Sequence, residues 1–271
     1  MAFQIKKVSE HGTTNPIVAR LSLQTRDLVQ FSGLSETDRD RIVELYHGRI
    51  QPRLLECDDI SQEIVKEIFD IASELDKNGF KIQSDGRVIE VPHLIRLEQR
   101  VEQFLYSAKA VLREIAKLFE IFFGKTFTEP RFDKVVSWLE AEFGKDEKIA
   151  GMVQDHKSWI KDLIDRRNAV EHPDGNVGRL SITNFELVSE ENQSPKLAEP
   201  TWQLGDLPEA SVANDLLITI TNLLEFAEDL LVACMIQHGF PNMMVINQIP
   251  ENERNADCPI RLRVGLKANE T

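Results

Sequence analysis

The 271-residue sequence predicts a mainly α protein: an antiparallel four-helix bundle, preceded by an α/β extension and flanked by a small accessory β-sheet. Three observations predict it. Apolar residues recur at steps of three and four over long stretches of the C-terminal two thirds, the period of a helix with one buried face. Glycine and proline punctuate those stretches, mostly at short intervals, as the turns of an antiparallel bundle require. Strand-like segments, Leu180–Leu187 and Ile260–Val264, lie outside the helical pattern, and the second alternates cleanly between apolar and charged residues.

The elements follow in order. In residues 1–91, Ser35-Glu36-Thr37-Asp38 has the form of a capping box opening a helix through Tyr46. Ile60 to Leu75 is apolar at helical spacing until Asn78-Gly79 stops it. Phe80–Ile82 and Val88–Val91 flank Asp85-Gly86, a hairpin signal. Pro92 marks a change of texture, dividing a 1–91 extension from a 92–271 bundle. There, Leu94, Leu97, Val101, Phe104, Ala108, Val111, Ile115, Leu118 and Phe122 predict one long helix, unbroken until Gly124. A second helix follows Pro130, with Phe132, Val135, Val136 and Leu139 on one face, and ends by Gly144. A third starts near Asp146 and carries Ile149, Met152, Val153, Ile160, Leu163 and Ile164. Pro208, tolerated in a first turn, opens a fourth that runs to Gly239. Accessory strands are expected at about 177–188 and 243–267.

Composition restricts function. With 45 Asp and Glu against 32 Lys and Arg, the net charge is -13, which argues against a sequence-independent nucleic-acid coat or a basic membrane-surface protein. Hydrophobic residues at 42% and charged residues at 28% are those of a folded domain, not of a disordered or collagen-like chain. Cys57, Cys234 and Cys258 are far apart and form no CxxC pair, against both a disulfide framework and a zinc knuckle. The apolar run Leu216–Ile236 is interrupted at helical spacing by Asn222, Glu225, Glu228 and Asp229, and the N-terminus has no apolar leader. A cytoplasmic protein without a membrane span is the expectation.

Most motif-borne chemistry is absent. There is no phosphate-binding GxxxxGK[ST], no GxGxxG after a strand, no HExxH and no GxSxG. Asp58-Asp59 and Glu190-Glu191 read as solvated carboxylates before they read as a Mg²⁺ site, and His47, His93, His156 and His238 have no ligand spacing. No metal and no cofactor are expected. Phe119 and Phe122 are expected in the core, Phe123 and Trp159 in the core or an interface, and base stacking is not expected of them or of Trp138. Arg261 and Arg263 alternate with Ile260, Leu262 and Val264, as on the solvent face of an edge strand.

The exception is Asp165-Arg166-Arg167-Asn168-Ala169-Val170-Glu171-His172-Pro173, at the end of the third helix. Arg167 lies five turns beyond Ile149 and continues the apolar stripe, so its guanidinium is expected to face the bundle or an interface, where it needs an anion. His172 precedes a proline, which ends the helix there. On a regular helix the two side chains would point about 140° apart, so a loosened last turn is needed to bring them together. From Lys157 to Arg179, five basic residues face four acidic ones; the acidity of the chain lies elsewhere.

Arg167-Asn168-Ala-Val-Glu-His172 resembles the motif of the HEPN family, four-helix-bundle proteins whose RNase members carry Arg, a polar residue often Asn, and then His. The resemblance spans Leu94 to Phe240 and rests on those six positions and their place in the helical pattern. It implies a metal-independent endoribonuclease in which the ribose 2′-hydroxyl attacks the adjacent phosphate. His172 would act as acid or base, Arg167 would bind the phosphate and stabilise developing charge, and Asn168 would position Arg167, His172 or the phosphate. It further implies an RNA substrate, a homodimer with two motifs facing each other, a neutralising protein partner, and a role in defence or toxin–antitoxin biology. The long segment after the motif, the extra sheet and the N-terminal region depart from the family pattern. Two other readings stand beside it: a catalytically silent module that binds a nucleotide or a protein, and a helical scaffold whose Asp165, Arg166, Arg167, Glu171 and Asp174 form a charge-laced helix end.

Overall fold

A computed structural model describes residues 11–80, 90–129, 131–188 and 196–267. The chain is mainly helical, with small antiparallel sheets. Its contacts divide it into two compact units, one made of Met1–Leu55, Val111–Lys157 and Leu224–Thr271, the other of Glu56–Ala110 and Ser158–Leu223.

The first unit begins with α1 (Pro16–Val18), which passes through a π-helical segment, Ala19–Gln24, into α2 (Thr25–Val29). Asn15 caps the start by accepting from the Ile17 N–H at 2.8 Å. Next comes α3 (Glu36–Leu45), where Ser35 accepts from the Asp38 N–H as the capping box predicts. A second π-helical segment, Tyr46–Ile50, leads into α4 (Gln51–Asn78), which stops at Gly79 in the left-handed conformation, φ 65°. Glycine suits that stop because it carries no Cβ to clash. The described part of 11–91 holds no strand; the expected hairpin falls mainly on residues 81–89, outside the described residues.

The helix expected to run unbroken to Gly124 is two helices, α5 (Leu97–Ile115) and α6 (Leu118–Phe123). At the break, Lys117 N–H bonds Glu114 C=O and Phe119 N–H bonds Ala116 C=O, three residues back instead of four. This tightening needs neither glycine nor proline, so the local sequence carries no signal of it. Just past the break, Phe119 meets Phe127 and Trp138 edge-on at 5.6 and 5.8 Å. Helix α7 (Phe132–Glu142) buries Phe132, Val135, Val136 and Leu139, the face its spacing predicts. The aromatic residues Phe119 and Phe122 are core, as expected.

Helix α8 (Lys148–Glu171) and helix α9 (Val212–Gly239) are the remaining long helices. α9 starts later than Pro208 because Ala210–Ser211 first pair as a strand. In place of one accessory sheet the described residues form three small ones: β1 (Leu180–Thr183), β4 (Thr201–Leu204) and β5 (Ala210–Ser211); β2 (Glu186–Val188) with β3 (Lys196–Ala198); and β6 (Met244–Gln248) with β7 (Leu262–Leu266). All pairings are antiparallel, and both strand-like stretches of the sequence lie within them.

Arg261 corrects an expectation. It is not on a solvent face but 7% exposed, and it donates to Glu228, itself 1% exposed, at 2.8 Å and to Asp229. Arg20 donates to both oxygens of the Glu228 carboxylate, and the Gln24 side-chain amide donates to one of them at 2.5 Å. The Gln24 carbonyl oxygen then accepts the backbone N–H groups of Arg261 and Leu262 at 2.6 and 2.7 Å. A residue placed just before strand β7 is thus turned inward by two carboxylates on α9, because a charge buried with partners and full hydrogen bonding is tolerated where a lone one is not.

Candidate functional site

The Arg167–His172 motif and its surroundings lie in the second unit, on α5 and α8. Helix α8 ends at Glu171, one residue before the position the proline predicts. The His172 N–H closes the last turn on the Asn168 C=O at 2.8 Å, and the Gly175 N–H folds back on the His172 C=O at 2.8 Å. That turn needs glycine: a Cβ at position 175 would stand 2.9 Å from the His172 carbonyl oxygen.

Arg167 has a side chain only 16% exposed and pairs with Glu171, one turn along its own helix. His172 is 70% exposed in its side chain, with Nε2 3.6 Å from the same Glu171 carboxylate. The two residues that regular helical geometry would separate therefore border one carboxylate at the helix end. Asn168 faces α5. Its side-chain oxygen accepts from Lys109 Nζ at 3.0 Å, which ties α8 to α5, and no bond from its side chain to Arg167 or His172 is found among the described residues.

The neighbouring Arg166 does another job. Its guanidinium lies over the Trp202 ring at 4.2 Å and pairs with Asp162 at 2.9 Å and Asp215 at 3.6 Å, while Trp202 Nε1 donates to Asp215 at 2.7 Å. These contacts fasten strand β4 to α8 and α9. Of two adjacent arginines, Arg166 is thus held from several directions and Arg167, among the described residues, by the i,i+4 carboxylate of Glu171.

Two clefts adjoin the motif. One, of about 260 Å³, is lined by Gln99, Glu102, Gln103, Tyr106, Arg167, Val170 and Glu171. The other, of about 350 Å³, shares Glu102 and Val170 with it and continues along Glu98, Pro173, Arg179 and the edge of β1. Arg167 is thereby a cation on the wall of an open cleft, and Arg179 a second one along the same course. Sequence patterning alone does not find Lys109, Tyr106, Gln99 or Gln103: they sit on the face of α5 away from its apolar stripe, where any helix carries polar residues. Their signal is their spacing relative to α8, which only the packing of the two helices reveals.

Among the described residues no group of three His, Cys, Asp or Glu side chains is placed to hold a metal ion, and no helix is long and apolar enough to cross a membrane. No family model, no curated protein and no solved structure matches the chain.

Proposed function

We propose that this protein is a metal-independent endoribonuclease of HEPN type. The observation that carries the proposal is the convergence of Arg167 and His172 on one carboxylate, Glu171, at the rim of a cleft. In this reading α5 with α6, α7, α8 and α9 are the four helices of the bundle, and the motif ends the third. The protein acts as a cytoplasmic homodimer in which two motifs share one groove, in a defence or toxin–antitoxin setting with a neutralising protein partner.

The chemistry follows from the residue types. A substrate phosphate displaces Glu171 from Arg167, and the guanidinium fork then holds two phosphate oxygens and opposes the charge that builds on them. The exchange keeps the guanidinium paired throughout, phosphate oxygens taking the place of the carboxylate. The ribose 2′-oxygen bonds to phosphorus, the bond to the 5′-oxygen of the next nucleotide breaks, and the products are a cyclic phosphate and a free 5′-hydroxyl. A proton leaves the 2′-hydroxyl and another reaches the departing 5′-oxygen; His172, exposed at the helix end, serves as one of these two agents and its copy in the partner subunit as the other. Asn168, held by Lys109, keeps the last turn of α8 in register with α5.

The test is cleavage of single-stranded RNA in EDTA by the wild type, His172→Ala and Arg167→Ala. Cleavage lost in both variants, with folding and dimerisation retained, is the expected result. No wild-type cleavage across varied RNAs, or cleavage indifferent to both substitutions, refutes it. A second reading, a helical scaffold, draws support from the succession of i,i+4 ion pairs along α8: Lys161–Asp165, Asp162–Arg166 and Arg167–Glu171. It predicts that Arg167→Ala weakens folding and changes no activity.

A further inference from the structure

We propose that the smaller cleft between α5 and α8 is a nucleobase subsite, with Tyr106 as its stacking platform and Arg167 as the anchor of the attached phosphate. The inference rests on the nucleotide chemistry proposed above and names the residues that would grip the base.

Helical spacing builds the cleft. Gln99, Glu102, Gln103 and Tyr106 stand at i, i+3, i+4 and i+7, so they share one face of α5; Arg167, Val170 and Glu171 stand at i, i+3 and i+4 on α8. The two faces enclose about 260 Å³, a volume suited to one planar ring system and small for a larger organic ligand. Tyr106 is 55% exposed. The contrast with Tyr46 is informative: that ring is fully buried, with its hydroxyl donating to the Ala227 C=O at 2.5 Å. Tyr106 leaves an aromatic face in water on the wall of a cleft that also contains a guanidinium. Aromatic faces accept any base, whereas amide and carboxylate groups such as those of Gln99, Gln103 and Glu102 meet the donors and acceptors on a base edge.

Other surfaces lack this combination. The cleft of about 620 Å³ around Thr37, Arg41, Arg49 and Lys117 has cations but no aromatic wall. Phe69, Ile95 and Met243 are more exposed than Tyr106, but none lines a cleft with a cation in it. At the Tyr106 cleft, an apolar ring, hydrogen-bonding side chains and a phosphate-binding group converge.

The experiment titrates the full-length protein with adenosine 3′-monophosphate, and separately with inorganic phosphate and with adenosine, followed by ligand-observed NMR. Wild type is expected to bind the nucleotide about tenfold or more tightly than phosphate, and Tyr106→Ala to weaken the nucleotide roughly 5- to 100-fold while leaving phosphate unchanged. Tyr106→Phe, which keeps the ring, is expected to stay within about twofold of wild type. Absent nucleotide binding, binding no tighter than phosphate, or affinity indifferent to Tyr106→Ala overturns the subsite. The endoribonuclease proposal fails separately: Tyr106-dependent nucleotide binding without RNA cleavage refutes catalysis and leaves the subsite standing, whereas cleavage with Tyr106-independent binding does the reverse.

Discussion

Replacing Glu228 by Gln tests the most concentrated electrostatic feature of the first unit. The carboxylate is 1% exposed and receives bonds from Arg20, Gln24 and Arg261. The arginine side chains it serves are 7% and 8% exposed. In the variant Arg261 keeps Asp229, but Arg20 is left facing a neutral amide with no other acidic partner found among the described residues. Removing one member of a buried ion pair typically costs about 3–5 kcal/mol, because the remaining charge stays desolvated. Against a typical total stability of about 5–15 kcal/mol that is a large fraction. Urea denaturation followed by far-UV circular dichroism should show a midpoint lower by roughly 1–2 M with an unchanged slope. Arg20→Met combined with Glu228→Leu should recover much of the loss, since both charges then leave the interior together. A loss below about 1 kcal/mol in Glu228→Gln, the range of a surface pair, would refute the buried hub.

Three further outcomes are expected. His156 is half-buried with its ring 5.0 Å from that of Phe226; burial, opposed by Asp229, Asp155 and Glu225 and aided by Arg261, holds its pKa below the ordinary 6.5. Its neutral form therefore supports the fold fully above 6.5, and stability falls as pH drops below that value toward the depressed folded pKa; His156→Gln should flatten this slope in thermal melts across pH, and an unchanged slope would count against it. Cys57 and Cys234 are fully buried, with thiol pKa values raised by desolvation, whereas Cys258 is partly exposed. A chromogenic disulfide reagent should titrate one thiol in the native protein and all three after denaturation; more than one fast native thiol would contradict the burial. Glu171→Gln should tighten inorganic phosphate binding several-fold, and weaker phosphate binding would rule out Glu171 as the competitor for Arg167.

Much of the helical layout was legible in the residues. Ser35 capping α3, Gly79 and Gly144 ending helices, the buried face of α7 and the strand pattern around Leu262 all depend on interactions within a few residues, so local sequence suffices. The inward bias of Arg167 was legible too, because its position on the α8 stripe follows from the helical period; its 16% exposure agrees. The turn at Ala116–Lys117 was not, since it is made by carbonyls three residues back and breaks no rule of composition. Arg261 was assigned to solvent by alternation, which places a side chain on one face and is silent on what covers that face.

By itself, then, the sequence determined where most helices lie, which of their faces are apolar, and that an arginine, an asparagine and a histidine cluster at the end of a long helix. Only the tertiary structure decided what lies beyond the helix itself: Lys109 for Asn168, a tyrosine-walled cleft beside the motif, and Glu228 for Arg261. The physical reason is range. Periodicity and capping act through neighbouring backbone groups, whereas an ion pair between Arg261 and Glu228, or a cleft shared by α5 and α8, joins residues dozens of positions apart whose encounter no local pattern encodes.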